Sequence, residues 1–146
     1  MRDEANNKQL KRCISPVSVG DNTAQVGQII DILGFQSLTY LIALGSIADA
    51  DATFTALLEE SDASDMSGSN AVADSDMISQ TVGTAPEAAA SFQFDSDNQV
   101  RKLGYIGTKR YTRLTITPAN NASAALMSAV AVLGHPDVKP VVQAAA

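Results

Sequence analysis

The sequence of 146 residues lacks several features that define common protein classes. It contains one Cys, one His and no Trp. A single Cys cannot build a disulfide framework, and a single His cannot supply a cluster of histidine metal ligands. No apolar run reaches the roughly 18 residues that a membrane-spanning helix needs. The polar N-terminal stretch MRDEANNKQLKRC is followed by no long apolar segment, so a secretory signal is not expected either.

Cations are absent from the whole middle of the chain. Between Cys13 and Val100 there is no Lys or Arg, whereas thirteen of the sixteen acidic residues lie there. Two interpretations stay open: the basic C-terminal segment folds against the acidic middle of the same domain, or acidic and basic surfaces meet between copies. The cations near each end are too few for a nucleic-acid-binding face, which needs clustered Lys and Arg.

Short apolar runs separated by turn residues predict an all-β protein. The pattern favours a single-domain β-sandwich or jelly-roll-like fold of about eight strands. We expect an extended N-terminal arm over residues 1–13, a sandwich domain over 14–136 and a short tail over 137–146. Pro16 places the first strand at a sheet edge, because proline cannot donate to a ladder.

The individual strands follow from alternation, β-branched content and turn residues. Segments 53–59 and 123–133 could also be helices, because both are rich in helix-forming residues, but strands are favoured. Segments 91–94 and 99–106 flank a polar four-residue turn, which predicts a hairpin. The predicted strands cover residues 14–19, 26–33, 37–44, 53–59, 77–82, 91–94, 99–106, 109–117 and 123–133.

No residue pattern points to catalysis, to a cofactor or to a metal site. The acidic segments lack the ligand order of a calcium loop, and no GxGxxG or GxxxxGK motif occurs. His135 precedes a proline and is expected at an exposed strand end. Cys13 is expected as a buried, unreactive thiol; alternatively it could form an intermolecular disulfide or, beside Lys11 and Arg12, a reactive thiolate.

Three segments resemble a family of small proteins that tailed bacteriophages encode near their capsid genes. They are ILGFQSLTY at 32–40, KLGYIGTKRYTRL at 102–114 and AVLGHP at 131–136, and the resemblance extends over residues 26–140. In the second segment, Gly104 and Gly107 are expected to allow positive φ at a turn, with Tyr105 and Tyr111 anchoring it.

The resemblance implies a structural virion protein without enzymatic activity. In that function many copies would decorate and stabilise the outside of an icosahedral capsid, after synthesis in the host bacterial cytoplasm. The expected partners are the major capsid protein and neighbouring copies in a homo-oligomer or lattice, with no nucleic acid and no membrane. A head-completion, neck or tail ring protein is one alternative, and a small soluble binding module is another. The residues expected to contact partners are Leu10, Lys11, Arg12, Cys13, Lys109, Arg110 and Arg113.

Overall fold

A computed structural model describes residues 3–143 of the chain, and the regular secondary structure of these residues is almost entirely β-strand. Two 3₁₀ turns occur at Ala5–Asn7 and Asp74–Asp76, and one short helix, α1, covers Pro86–Ala90. The strands are β1 (Lys8–Val19), β2 (Gln25–Val26), β3 (Ile30–Asp31), β4 (Phe35–Ile47), β5 (Thr53–Ser61), β6 (Asn70–Ala71), β7 (Met77–Ile78), β8 (Phe92–Gln93), β9 (Val100–Tyr105), β10 (Tyr111–Ala119) and β11 (Ala125–Pro136).

The strands form two antiparallel sheets packed as a sandwich, which confirms the predicted fold class. One sheet has the order β1-β11-β4-β9-β7. The other has β2-β10-β5-β6 as its path, with β3 also paired to β10 and β8 also paired to β5. The described residues contain eleven strands rather than about eight because five of them are only two residues long. None of the described helices has the length and apolar character to span a bilayer.

The four long central strands alternate between buried and outward side chains. In β5, Phe54, Ala56 and Leu58 are buried, and in β10 Leu114 and Ile116 are fully buried. The Ala-rich segment that could have been a helix is β11, whose inward residues from Ala125 to Leu133 pack in the core. The apolar side chains enclosed between the sheets therefore select the strand over the helix in both ambiguous segments.

Strand β1 lies at the edge of the five-stranded sheet, as Pro16 predicts. Among residues 3–143 it pairs only with β11, and the register shifts between Ile14 and Val17, so the proline falls at an irregularity in the ladder. The strand begins at Lys8, so the predicted boundary after residue 13 lies inside it. Residues 1–2 of the predicted arm and 144–146 of the predicted tail lie outside the described residues. The described part of the tail contacts the start of β1, because Gln143 and Leu10 exchange two hydrogen bonds of 2.9 and 2.7 Å.

The predicted hairpin across residues 95–98 is wrong. Strand β8 pairs with β5 in one sheet, whereas β9 pairs with β4 and β7 in the other. The polar turn is present, but it carries the chain from one sheet to the other. One of its side chains binds the end of β4, since Asp97 Oδ1 accepts a hydrogen bond of 2.6 Å from the Ile47 amide.

Two other predicted strands are much shorter than expected. Segment 77–82 keeps only β7, and segment 26–33 is divided into β2 and β3 around Gly27. A Cβ atom at Gly27 would lie 2.5 Å from the Leu114 carbonyl oxygen and 2.6 Å from Cys13 Sγ. The chain therefore passes too close to its neighbours for a side chain here, and the ladder breaks at this glycine.

Helix α1 covers part of the edge of β5 that no strand covers. Pro86 occupies its first turn, where the missing amide hydrogen costs nothing. The Glu87 carboxylate accepts a hydrogen bond of 2.6 Å from the Leu58 amide, and Ser91 Oγ accepts one of 2.9 Å from the Ala56 amide. Two side chains thus replace the ladder partners of β5 between β8 and β6.

Candidate functional site

The predicted contact residues Lys109, Arg110 and Arg113 form ion pairs within their own chain. Arg110 makes a two-pronged contact with the Asp31 carboxylate at 2.9 and 2.8 Å. The guanidinium holds the pKa of Asp31 below its ordinary value. The basic segment after β9 therefore folds against the acidic middle of the same domain, which is the first of the two interpretations of the charge layout. The other two pairs are Arg113–Glu59 at 2.8 Å and Lys109–Asp62 at 2.5 Å.

The predicted contact residues of β1 point in different directions. Lys11 donates a hydrogen bond of 2.7 Å to the Asp31 carbonyl, so Lys11 and Arg110 both donate hydrogen bonds to Asp31. Leu10 pairs with Val132 on the outer face of the five-stranded sheet, and 48% of Leu10 is exposed. Arg12 lies on that outer face as well and donates a hydrogen bond of 3.0 Å to Ser15. The structure therefore does not gather these residues into one surface.

Cys13 lies in the core of the sandwich, with 2% of its surface exposed. Burial raises the pKa of its thiol to about 12, so the thiol stays neutral at physiological pH. A disulfide to another copy would require β1 to leave the sheet. The geometry fits the buried, unreactive thiol and conflicts with the intermolecular disulfide and the reactive thiolate.

The turn between β9 and β10 is held by Tyr105. Its hydroxyl donates a hydrogen bond of 2.7 Å to the Glu60 carboxylate and accepts one of 2.9 Å from the Lys109 amide. Burial raises the pKa of this phenol above its ordinary value. Gly104 and Gly107 do not have positive φ; instead, a Cβ at Gly104 would lie 2.9 Å from Ile78 Cβ, and one at Gly107 would lie 2.6 Å from the Tyr105 ring. Close approach, not unusual backbone conformation, is the reason for both glycines.

The side chains that could bind a metal ion do not gather at one place in the described residues. His135 has a φ of 50° at the end of β11, and its Nδ1 lies 3.0 Å from Ser37 Oγ. Within residues 3–143 there is no group of three or more His, Cys, Asp or Glu side chains that could hold a metal ion.

A polar cleft lies where α1, β8 and the following turn meet the first half of β5. Its volume is about 380 Å³, which falls within the usual range for small-molecule sites. The stacked rings of Phe54 and Phe92, with centroids 4.7 Å apart, contribute to its lining. The polar side chains of the lining are those of Thr53, Thr55, Ser91, Gln93, Asp95, Ser96 and Arg101.

Strand pairing explains why these polar side chains converge. Gln93 of β8 is directly opposite Thr53 of β5, so both side chains stand on the outward face of the sheet. Thr55 is two residues further along β5 on the same face. Arg101 reaches the cleft from β9 of the other sheet, where its guanidinium donates a hydrogen bond of 3.3 Å to the buried Ser96 hydroxyl.

Several of these groups have no partner within the described chain. The side chains of Thr53, Thr55, Gln93 and Asp95 make no hydrogen bond or ion pair among residues 3–143, although all four line the cleft. Hydroxyl, amide and carboxylate groups together provide both donors and acceptors. The cleft therefore offers hydrogen-bond donors and acceptors to a ligand rich in hydroxyl groups.

Sequence reasoning missed this cleft. None of its polar residues belongs to the predicted contact set, and the predicted hairpin would have placed β8 beside β9 instead of β5. The one available signal was the dense run of polar residues in the turn 95–98, which was interpreted only as a turn.

Comparison with known proteins gives no family assignment. No family model matches the chain, and no curated protein matches it. The family resemblance noted in the sequence is therefore not tested and stays a prediction, as does the virion location.

The solved structures that match the chain include carbohydrate-binding modules. The CBM22-1–GH10 modules of the Clostridium thermocellum endo-1,4-β-D-xylanase 10B, complexed with xylohexaose, align with a TM-score of 0.45 and 12% identity. That alignment covers 97% of this chain and 28% of the xylanase chain. The xylan-binding module CBM15 aligns with a TM-score of 0.40 and 11% identity, over 94% of this chain and 96% of the module. The C-terminal family 22 module of the same xylanase aligns with a TM-score of 0.38 and 11% identity, over 90% of this chain and 89% of the module.

These findings correct the predicted function. The three neighbours described above contain carbohydrate-binding modules, of which one is complexed with xylohexaose and one binds xylan, and none of the three is a capsid protein. Capsid decoration, the neck alternative and the expected protein partners are therefore set aside. A small binding module is the alternative that the sequence left open.

Proposed function

We propose that this chain is a small, non-catalytic binding module whose cleft takes a polyhydroxylated ligand, of which a saccharide is the natural class. The observation that carries the proposal is the convergence of unpartnered Thr53, Thr55, Gln93 and Asp95 side chains in one cleft of about 380 Å³. A site of this kind fixes a ligand through a few placed polar groups.

The charge of the cleft suits a neutral ligand. Asp95 and Arg101 contribute one charge of each sign, and they do not form an ion pair with each other within the described residues. Each can therefore bond to a ligand hydroxyl, the carboxylate as acceptor and the guanidinium as donor.

The composition of the cleft also supports binding over catalysis. Glycoside hydrolysis generally uses a pair of carboxyl groups on either side of the scissile bond. Asp95 is the single carboxylate among the described lining residues. No lining residue is a cysteine or histidine that could serve as nucleophile or base.

The test is isothermal titration of the whole chain with xylo- and cello-oligosaccharides of one to six units. We expect measurable binding by the native chain and a loss of at least about tenfold in affinity for Gln93→Ala and for Asp95→Ala, since each removes a group that bonds the ligand. Asp65→Ala is the matched control, because Asp65 is an exposed acid of another loop. If none of the saccharides binds, or if the cleft variants and the control bind equally well, the proposal is wrong.

A further inference from the structure

The outward face of β5 and β10 continues the cleft as a row of hydroxyl groups. Thr55, which lines the cleft, is directly opposite Thr117 of β10 in the antiparallel ladder. Thr53 is opposite Ala119, and both Thr117 and Ala119 are exposed. Side chains directly opposite each other have Cβ atoms roughly 4.5–5.5 Å apart. The surface therefore extends from Gln93 on β8 across β5 to β10 without a break.

These side chains are free to bind. The Thr117 hydroxyl, like those of Thr53 and Thr55, makes no hydrogen bond among residues 3–143. Each threonine also presents a methyl group, so the face combines hydroxyl groups with small apolar surfaces. A pyranose ring has the same two properties, because its hydroxyl groups lie around the edge and its C–H groups lie on its faces.

The charges on the outward face of β5 and β10 restrict which ligands can bind there. The two rows that contain Gln93–Thr53–Ala119 and Thr55–Thr117 have no charged side chain. Further along the β5–β10 ladder on this face, Glu59 and Arg113 neutralise each other at 2.8 Å, and in the cleft itself Asp95 and Arg101 contribute one charge of each sign. The net charge of −6 on the chain opposes the approach of an anionic polymer.

We infer that the ligand leaves the cleft and crosses β5 onto β10, so that the module recognises an unbranched, uncharged oligosaccharide and not a single sugar. This inference rests on the proposed function of the cleft. Two strand spacings separate β8 from β10, a distance of about 10 Å, so the path is longer than one sugar ring. Thr117 provides the outer subsite, and Thr53 and Gln93 provide the inner one.

The test is titration of native chain, Thr117→Val, Thr53→Val and the control Thr108→Val with xylose, xylobiose, xylotetraose and xylohexaose. Thr108 is an exposed threonine in the turn before β10, at the opposite end of that strand from Thr117. Valine retains the shape and strand preference of threonine while removing the hydroxyl group, and a melting curve confirms that each variant is folded.

We expect affinity of the native chain to rise at least about fivefold from xylose to xylotetraose. Thr117→Val should remove most of this increase while leaving the affinity for xylose unchanged, and Thr53→Val should weaken both ligands. Thr108→Val should change neither. If binding depends on Thr53 but not on chain length or Thr117, the outer subsite is wrong and the cleft proposal stands. If no saccharide binds to the folded chain, both are wrong.

Discussion

Replacing Glu87 tests how helix α1 is held against the edge of β5. The Glu87 carboxylate accepts the amide hydrogen of Leu58 at 2.6 Å, and Leu58 is fully buried. Glu87→Ala leaves this buried amide without a partner, which costs about 1–3 kcal/mol in the free energy of unfolding. For a domain of this size, the melting temperature should fall by about 3–10 °C.

The second variant, Glu87→Gln, separates the hydrogen bond from the charge. Burial is the main reason that the pKa of Glu87 is raised, and the Leu58 amide only partly opposes the shift. A carboxyl group with a raised pKa in the folded state binds its proton more tightly there than in the unfolded chain. Its contribution to stability is therefore complete below the unfolded pKa and is lost as pH rises through the folded pKa.

Glu87→Gln retains an acceptor oxygen for Leu58 and cannot ionise. We expect it to match the native chain near pH 4 and to be at least as stable at pH 7, with the difference growing between these values. Urea unfolding of the three proteins at pH 4, 5.5 and 7 measures this. The reasoning is refuted if Glu87→Ala leaves stability unchanged, or if Glu87→Gln is destabilised at pH 7 as much as Glu87→Ala.

Two further predictions concern the core and the surface ion pairs. Because Cys13 is buried and the pKa of its thiol is about 12, a thiol reagent should react only when the chain is unfolded with urea; rapid labelling of the folded chain would contradict the structure. The Arg110–Asp31 pair is partly exposed on both sides, so a double-mutant cycle should give a coupling energy below about 1 kcal/mol that decreases with salt. A coupling of several kcal/mol, or one that salt does not weaken, would show that the pair is more buried than described.

The long strands could be predicted from the sequence because their patterns are local. Alternation in β5 and β10 and the β-branched content of β4 are visible in any short window. The Ala-rich segment of β11 could also be assigned to a strand, since turn residues precede and follow it in the sequence. These strands make up most of the core, so the fold class follows from them.

The cleft could not be predicted, because it depends on which strands become neighbours. The turn at residues 95–98 has the composition of a hairpin turn, but nothing in that composition specifies that β8 joins β5 and β9 joins β4. Helix α1 is equally hard to predict, since its five residues, Pro86–Ala90, give too short a pattern to detect. Thr53, Gln93 and Arg101 come to one site because strands far apart in the sequence pair with each other, and local propensity does not specify this pairing.

The most direct test of the central claim is an NMR titration of the isotope-labelled native chain with xylohexaose. We predict that the amide signals that move are those of the cleft and its extension, around Thr53, Thr55, Gln93 and Thr117, and that the shifts saturate. Signals of the outer face of the five-stranded sheet, around Leu10 and Val132, should not move. An unchanged spectrum at millimolar saccharide, or shifts centred on that outer face, would contradict the account.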